Sequence, residues 1–179
     1  AAGLAANGGS VVEYLEGLGT RKVTRQPLPF IAVPTTSGTG AEATKNAVIS
    51  SKGGRYKKSF RDDRLYAKVA LVDPELTVSA PQKVTAASGM DALCQCIESF
   101  VSTRANSITD ALAMRGIASL GKGLYRAYCE PEDLRAREYT AEGSMLSGIC
   151  LANAGLGAAH GIAAALGAQV TLVGIIGGD

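Results

Sequence analysis

The pattern of apolar residues changes once along this chain, near Glu75–Ala80, and that change limits its folds more than any other feature. Before it, short apolar runs alternate with Gly, Pro, Ser and Thr. Phe30-Ile31-Ala32-Val33 follows Pro27 and Pro29, ends at Pro34, and reads as a buried strand. Ala47-Val48-Ile49 and Tyr66–Val72 are further strand candidates, the second ended by Asp73-Pro74. Leu4-Ala5-Ala6 reads as the end of a helix stopped by Asn7-Gly8-Gly9, and Ser10 as the cap of a short helix through Leu15. After the change, apolar residues recur at helical spacing. Helices are expected over 81–103, over Ser107–Tyr128, from a first turn holding Pro131 to about Ala152, and over Ala154–Gly167. The second should bury Ile108, Ala111, Leu112, Gly116 or Ile117, and Leu120. The expected fold class is α/β followed by all-α, divided into residues 1–76 and 77–179, with no internal repeat.

Charge excludes several partners. The 18 basic and 16 acidic side chains are interspersed, so no basic stripe argues for nucleic acid or an anionic membrane. The densest cluster, Arg55–Arg64, also holds Asp62 and Asp63 and reads as a solvated loop. The least polar run, Gly161–Gly178, contains Gln169 and Thr171 among many glycines, which argues against a membrane span. Cys94, Cys96, Cys129 and Cys150 form no CxxC pair and read as buried thiols of a cytoplasmic protein. The 22 glycines sit mostly beside Ala, Ser and Thr, as in closely packed backbones and ligand-approach loops. An Ala-rich opening without Met reads as a fragment or a processed form.

The first motif is a loop. The strand at Phe30–Val33 runs into Pro34-Thr35-Thr36-Ser37-Gly38-Thr39-Gly40-Ala41-Glu42. Its hydroxyls, backbone N–H groups and two glycines can approach a nucleotide, although many Ser/Thr/Gly turns bind nothing. Gly8-Gly9-Ser10 is a different case. It follows a helix-like run rather than a strand, so it reads as a helix stop and not a phosphate fingerprint. The second motif is helical. Gly89-Met90-Asp91-Ala92-Leu93 opens a segment in which Asp91, Gln95 and Glu98 share one face. Cys94 and Cys96, two apart, point about 200° away from each other and cannot converge on one ion. Cys94 could join only Asp91.

Together, Pro34–Thr44 and Gly89–Leu93 resemble the iron-containing alcohol dehydrogenases, and the order of Lys45–Ile49, Lys57–Phe60 and Leu71–Pro74 fits as well. The resemblance covers roughly residues 7–168. It implies part of a Rossmann-like nucleotide domain followed by part of a helical metal-binding domain. It assigns cofactor contact, with NAD or NADP, to Thr35, Thr36, Gly38 and Thr39, and then to Asn46 and Lys58. It also implies a metal site of one Asp and three His, suited to Fe²⁺ or Zn²⁺ acting on an alcohol or carbonyl oxygen. Here the set is incomplete. Asp91 and His160, the chain's one histidine, match; Gln95 stands where a His is expected; Gly174 stands about where the last His would be; and Ala164 replaces a further His. A Gln amide oxygen is a neutral and weaker ligand.

The implied function is an NAD(P)-dependent interconversion of a small alcohol and its aldehyde or ketone, weak or metal-poor. The alternative is a non-catalytic remnant that folds, self-associates as a homo-oligomer, and binds nucleotide at most. No nucleophile–base pair supports a hydrolase, and no catalytic acid or base can be named.

Overall fold

The computed structural model describes residues 1–51 and 56–169. Helix α1 (Ala2–Asn7) ends at Gly8, whose φ of 68° lies in the left-handed region where glycine is favoured. A 3₁₀ turn, Val11–Tyr14, follows; Ser10 precedes it but makes no side-chain cap bond. Strand β1 (Ile31–Ala32) pairs in parallel with β4 (Val69–Ala70), while β2 (Asn46–Ser51) pairs antiparallel with β3 (Tyr56–Arg61). Four longer helices follow among the described residues: α2 (Gln82–Phe100), α3 (Ser107–Cys129), α4 (Leu134–Ala154) and α5 (Ala158–Gln169). The α/β-then-helical order holds, with the last strand ending at Ala70 and the first long helix starting at Gln82.

Several expectations change. The strand read over Phe30–Val33 is only two residues long and is not buried: Ile31 is 62% exposed, and Phe30 and Val33 are exposed too. Its one partner among the described residues is β4. The candidate Tyr66–Val72 shrinks to Val69–Ala70, because Asp62 caps a 3₁₀ turn at Asp63–Leu65 that delays the strand. The charged cluster read as a solvated loop is largely β3. Lys58 and Arg61 are exposed while Phe60 enters the core, so the segment is charged toward water and anchored by one buried ring.

Phe60 belongs to a first core with Tyr14, Leu15 and Val23, its ring 5.0 Å from that of Tyr14. The second core lies among the helices, where Ala92 and Cys96 of α2 meet Leu120 of α3. The α3 face turns out differently from the apolar pattern. Ile108 is 70% exposed, and the buried face runs Thr109, Ala113, Gly116, Leu120, Gly123, Ala127. Steps of four and three residues give one stripe, and its small side chains let α4 approach closely. Asn106 caps α3 by accepting from the N–H groups of Ile108 and Thr109.

Pro131 lies outside α4 rather than in its first turn. Asp133 is the cap, accepting from the Ala136 N–H at 3.0 Å, and the Pro131 carbonyl instead accepts from Arg137 Nε at 2.9 Å. Arg137 is fully buried and also donates to Thr85, tying α4 to α2.

The cysteines divide. Cys96 and Cys150 are buried, with burial as the main cause pushing the Cys96 thiol up to about 12, whereas Cys94 is half-buried and Cys129 exposed. Among the described residues no helix is long and apolar enough to cross a membrane. Gly174 lies outside the described residues.

Candidate cofactor loop and polar cluster

The Pro34–Glu42 loop is held from behind by glycines. Gly40 has a φ of 59°, and a Cβ at Gly148 of α4 would stand 2.1 Å from the Gly40 oxygen. Only two glycines permit this approach of loop to helix. Gly38 is likewise buried against Ser88 of α2. With its back fixed, the loop turns Thr35, Thr36 and Thr39 outward, all three exposed.

A cleft of about 540 Å³ opens in front of it, bordered by Thr36, Thr39, Thr44, Lys45 and Asn46 on the polar side and by Phe30, Val33 and Phe60 on the apolar side. That volume suits a small-molecule or cofactor moiety, for which pockets run about 300–1,000 Å³. Of the residues expected at a cofactor, Thr36, Thr39 and Asn46 line this cleft. The Asn46 side-chain oxygen accepts from Arg61 Nε at 2.7 Å. Gly38 lies behind the loop, and Lys58 is exposed on β3 with its ammonium near Gly17. Glu42, also on the cleft, is buried, and its carboxyl is pushed up by that burial.

A polar cluster lies where α2 meets α5. Asp91, Cys94, Gln95 and Glu98 lie along the face of α2 that meets α5, and His160, in the first turn of α5, sits over them. His160 Nε2 lies 3.0 Å from Asp91 Oδ1, and His160 Nδ1 is hydrogen-bonded with Glu98 Oε2. The other Glu98 oxygen accepts from the Ala159 N–H at 2.7 Å, so Glu98 caps α5, where the helix dipole favours an anion. The hydrogen bond to Asp91 raises the His160 pKa; burial opposes this, and Glu98 reinforces it. For Glu98, burial pushes upward, but the bonds from His160, Ala159 and Gly157 outweigh it and hold the carboxyl below its ordinary range. The His160 ring is thus held between the carboxyl groups of Asp91 and Glu98. Burial raises the Cys94 thiol, helped by the charges of Glu98 and Asp91.

Gln95 behaves unlike a ligand in this arrangement. Its Nε2 donates to Asp91 Oδ2 at 3.3 Å, and its oxygen faces Ser147, whose hydroxyl lies 3.1 Å away. Turning the oxygen toward His160 would flip the amide and set it against the Asp91 carboxylate. The Ser147 hydroxyl also lies 3.4 Å from the Gly38 carbonyl, so a polar path links the loop to the cluster.

Sequence reasoning brought Asp91 and His160 to one place but missed Glu98 and Cys94 as His160's neighbours. The spacing of Asp91, Cys94 and Glu98, three, four and seven apart, held that signal; only the docking of α5 completes it.

Known proteins extend these observations. The family described as iron-containing alcohol dehydrogenase matches residues 1–74, and the C-terminal part of the Fe-containing alcohol dehydrogenase family matches residues 85–173. Long-chain-alcohol dehydrogenase 1 of Geobacillus thermodenitrificans is 44% identical over 169 residues, 94% of this chain and 42% of that protein. Among solved structures, a 1,3-propanediol oxidoreductase superposes with a TM-score of 0.87 at 34% identity, over 96% of this chain and 44% of its own. The sulfoacetaldehyde reductase of Bifidobacterium kashiwanohense, solved with NAD⁺, superposes at 0.83 and 34% identity, over 89% of this chain and 42% of its own. This chain thus spans about two fifths of the length of these relatives. Two family matches placed end to end, with the fold common to both solved relatives, make the chain a member of the iron-containing alcohol dehydrogenase family.

Proposed function

We propose that the chain carries the central part of an NAD(P)-dependent oxidoreductase that interconverts a small alcohol and its aldehyde or ketone. The observation that carries this reading is the cleft in front of Thr36 and Thr39, held open by the Gly40–Gly148 contact. The relative solved with NAD⁺ supports a nicotinamide cofactor for that cleft. Thr35, Thr36 and Thr39 offer hydroxyls to its phosphate or ribose oxygens, Gly38 fixes the loop's approach, and Asn46 extends the contact along β2, whereas Lys58, with its ammonium near Gly17, does not line the cleft. The hydride passes between the substrate carbon and the nicotinamide.

By family resemblance, Asp91 and His160 are the residues that would hold a divalent metal, with Gln95 as the weak third. Side by side, a carboxylate and an imidazole with side chains 9% and 17% exposed suit Fe²⁺ or Zn²⁺. When bound, such an ion supplies Lewis acidity to the substrate oxygen. The side chains supply the rest: Gln95 orients Asp91, and Glu98 holds His160 and the start of α5.

A second reading, a chain that folds and self-associates without turnover, has its own support. Ile31 and Val69, on β1 and β4, and Val33 and Leu71, just after them, present exposed apolar side chains. Cytoplasmic residence accords with four free cysteines. Fluorescence titration of NADH and NADPH separates the two readings. Saturable binding of one of them supports the oxidoreductase; no binding of either at millimolar concentration rejects it.

A further inference from the structure

Arg137 is a cation buried in the fold with only neutral partners. It lies in the first turn of α4 and is 2% exposed. Its Nε donates to the Pro131 carbonyl and its Nη1 to the Thr85 hydroxyl, both at 2.9 Å. Its Nη2 is buried without a hydrogen-bond partner among the described residues. No carboxylate among them forms an ion pair with it. Burial lowers its pKa, and no neighbouring charge offsets that. A guanidinium keeps its proton at ordinary pH, so the charge stays and its burial is costly until it is paired.

Arg137 shares a small cavity with Ser37 of the Pro34–Glu42 loop, and Ser37 Oγ is also buried without a partner. Two orphaned donors, from a loop and a helix 100 residues apart, thus border one space. Its volume, about 10 Å³, admits one particle of roughly the size of a water molecule and no phosphate or carboxylate group. The surroundings favour negative charge. Val84 and Thr85 belong to the first turn of α2 and Arg137 to that of α4, so two partly positive helix ends flank the cavity. No Asp or Glu lines it.

We infer that this cavity binds a single monatomic anion, chloride, between Arg137 Nη2 and Ser37 Oγ. A water molecule would meet both hydrogen-bonding needs but leave the guanidinium and the helix ends uncompensated; a halide meets both needs and supplies the charge. The ion joins the loop to α4 at a second point, apart from the Gly40–Gly148 contact.

Thermal melts of the purified chain in sodium chloride and in sodium gluconate, at equal ionic strength, test the site, because gluconate is too large to enter. The melting temperature should rise with chloride and level off as a site fills, and bromide should substitute. Ser37→Ala removes one donor to the anion and should weaken the apparent chloride affinity by about tenfold or more. Arg137→Lys, which keeps the charge but loses Nη2, should weaken it too; where that variant does not fold, Ser37→Ala decides. Arg25→Ala, at an exposed arginine, should leave the chloride dependence unchanged. Crystals grown in bromide should give an anomalous peak between Ser37 and Arg137. Equal melting in chloride and gluconate overturns the inference. So does a chloride effect that survives Ser37→Ala unchanged, or a cavity that holds water and gives no bromide signal. None of these readouts involves NADH, so failure here is distinct from failure of the nucleotide reading.

Discussion

At the scale of single residues, the cluster on α2 sets the pH behaviour of the metal-free fold. The raised His160 pKa means its contribution is complete below its ordinary value of 6.5 and is lost as pH rises through the raised value. The lowered Glu98 pKa means its contribution is complete above 4.5 and is lost as pH falls through the depressed value. The pair is therefore worth most between pH 4.5 and 6.5, and melting temperatures measured in chelator across pH should show His160→Gln flattening both limbs. Glu42 has the opposite sign. Its raised pKa makes ionisation unfavourable in the fold, so it costs nothing below 4.5 and costs increasingly as pH climbs to the raised value. Glu42→Gln should stabilise the chain at neutral pH, and denaturant melts at pH 7 and pH 4 should differ less than in the parent. Ser147→Ala removes the buried hydroxyl that lies 2.7 Å from the Ser144 carbonyl and 3.1 Å from the Gln95 oxygen, an expected loss of about 0.5–1.5 kcal/mol in urea unfolding. Asp91 and His160 were readable in the sequence because a family motif surrounds each. Glu98 and Cys94 were not, because nothing in α2 says which helix will lie across it.

At the scale of elements, the loop and α4 are locked by a contact between two glycines that are 108 residues apart in sequence. Gly148→Ala sets a methyl 2.1 Å from the Gly40 oxygen. Such overpacking costs about 1–3 kcal/mol, and at about 2–4 °C per kcal/mol the loss should register in a thermal melt. The same substitution pushes the loop toward the cleft, so NADH affinity should fall with stability. Helix limits in the second half were largely legible, since caps and spacing act locally: Asn106 and Asp133 each satisfy the first N–H groups of their own helix. The buried face of α3 was legible only at Gly116 and Leu120. Hydrophobicity pointed to Ile108 and Ala111, but close approach to α4 selects small residues, and size outweighs hydrophobicity where backbones nearly touch.

At the scale of the whole molecule, the two strand pairs have different fates. One is packed into a core through Phe60; the other leaves Ile31, Val33, Val69 and Leu71 exposed. Apolar residues two apart on a strand share a face, so these four make a continuous patch. Sedimentation velocity should detect concentration-dependent association, and Ile31→Lys with Leu71→Lys should shift the chain toward monomer; unchanged association would place the contact elsewhere.

The sequence alone determined the order of strands and helices, the loop that faces a cleft, and the two positions, Asp91 and His160, that meet. Those properties depend on local periodicity, caps and short motifs. Tertiary structure alone decided that Gln95 turns its oxygen away, that Glu98 and Cys94 flank His160, and that a pair of glycines seats the loop. Each of those depends on atoms brought together across 50 to 110 residues, and no local pattern encodes the angle at which α5 and α4 return to α2 and the loop.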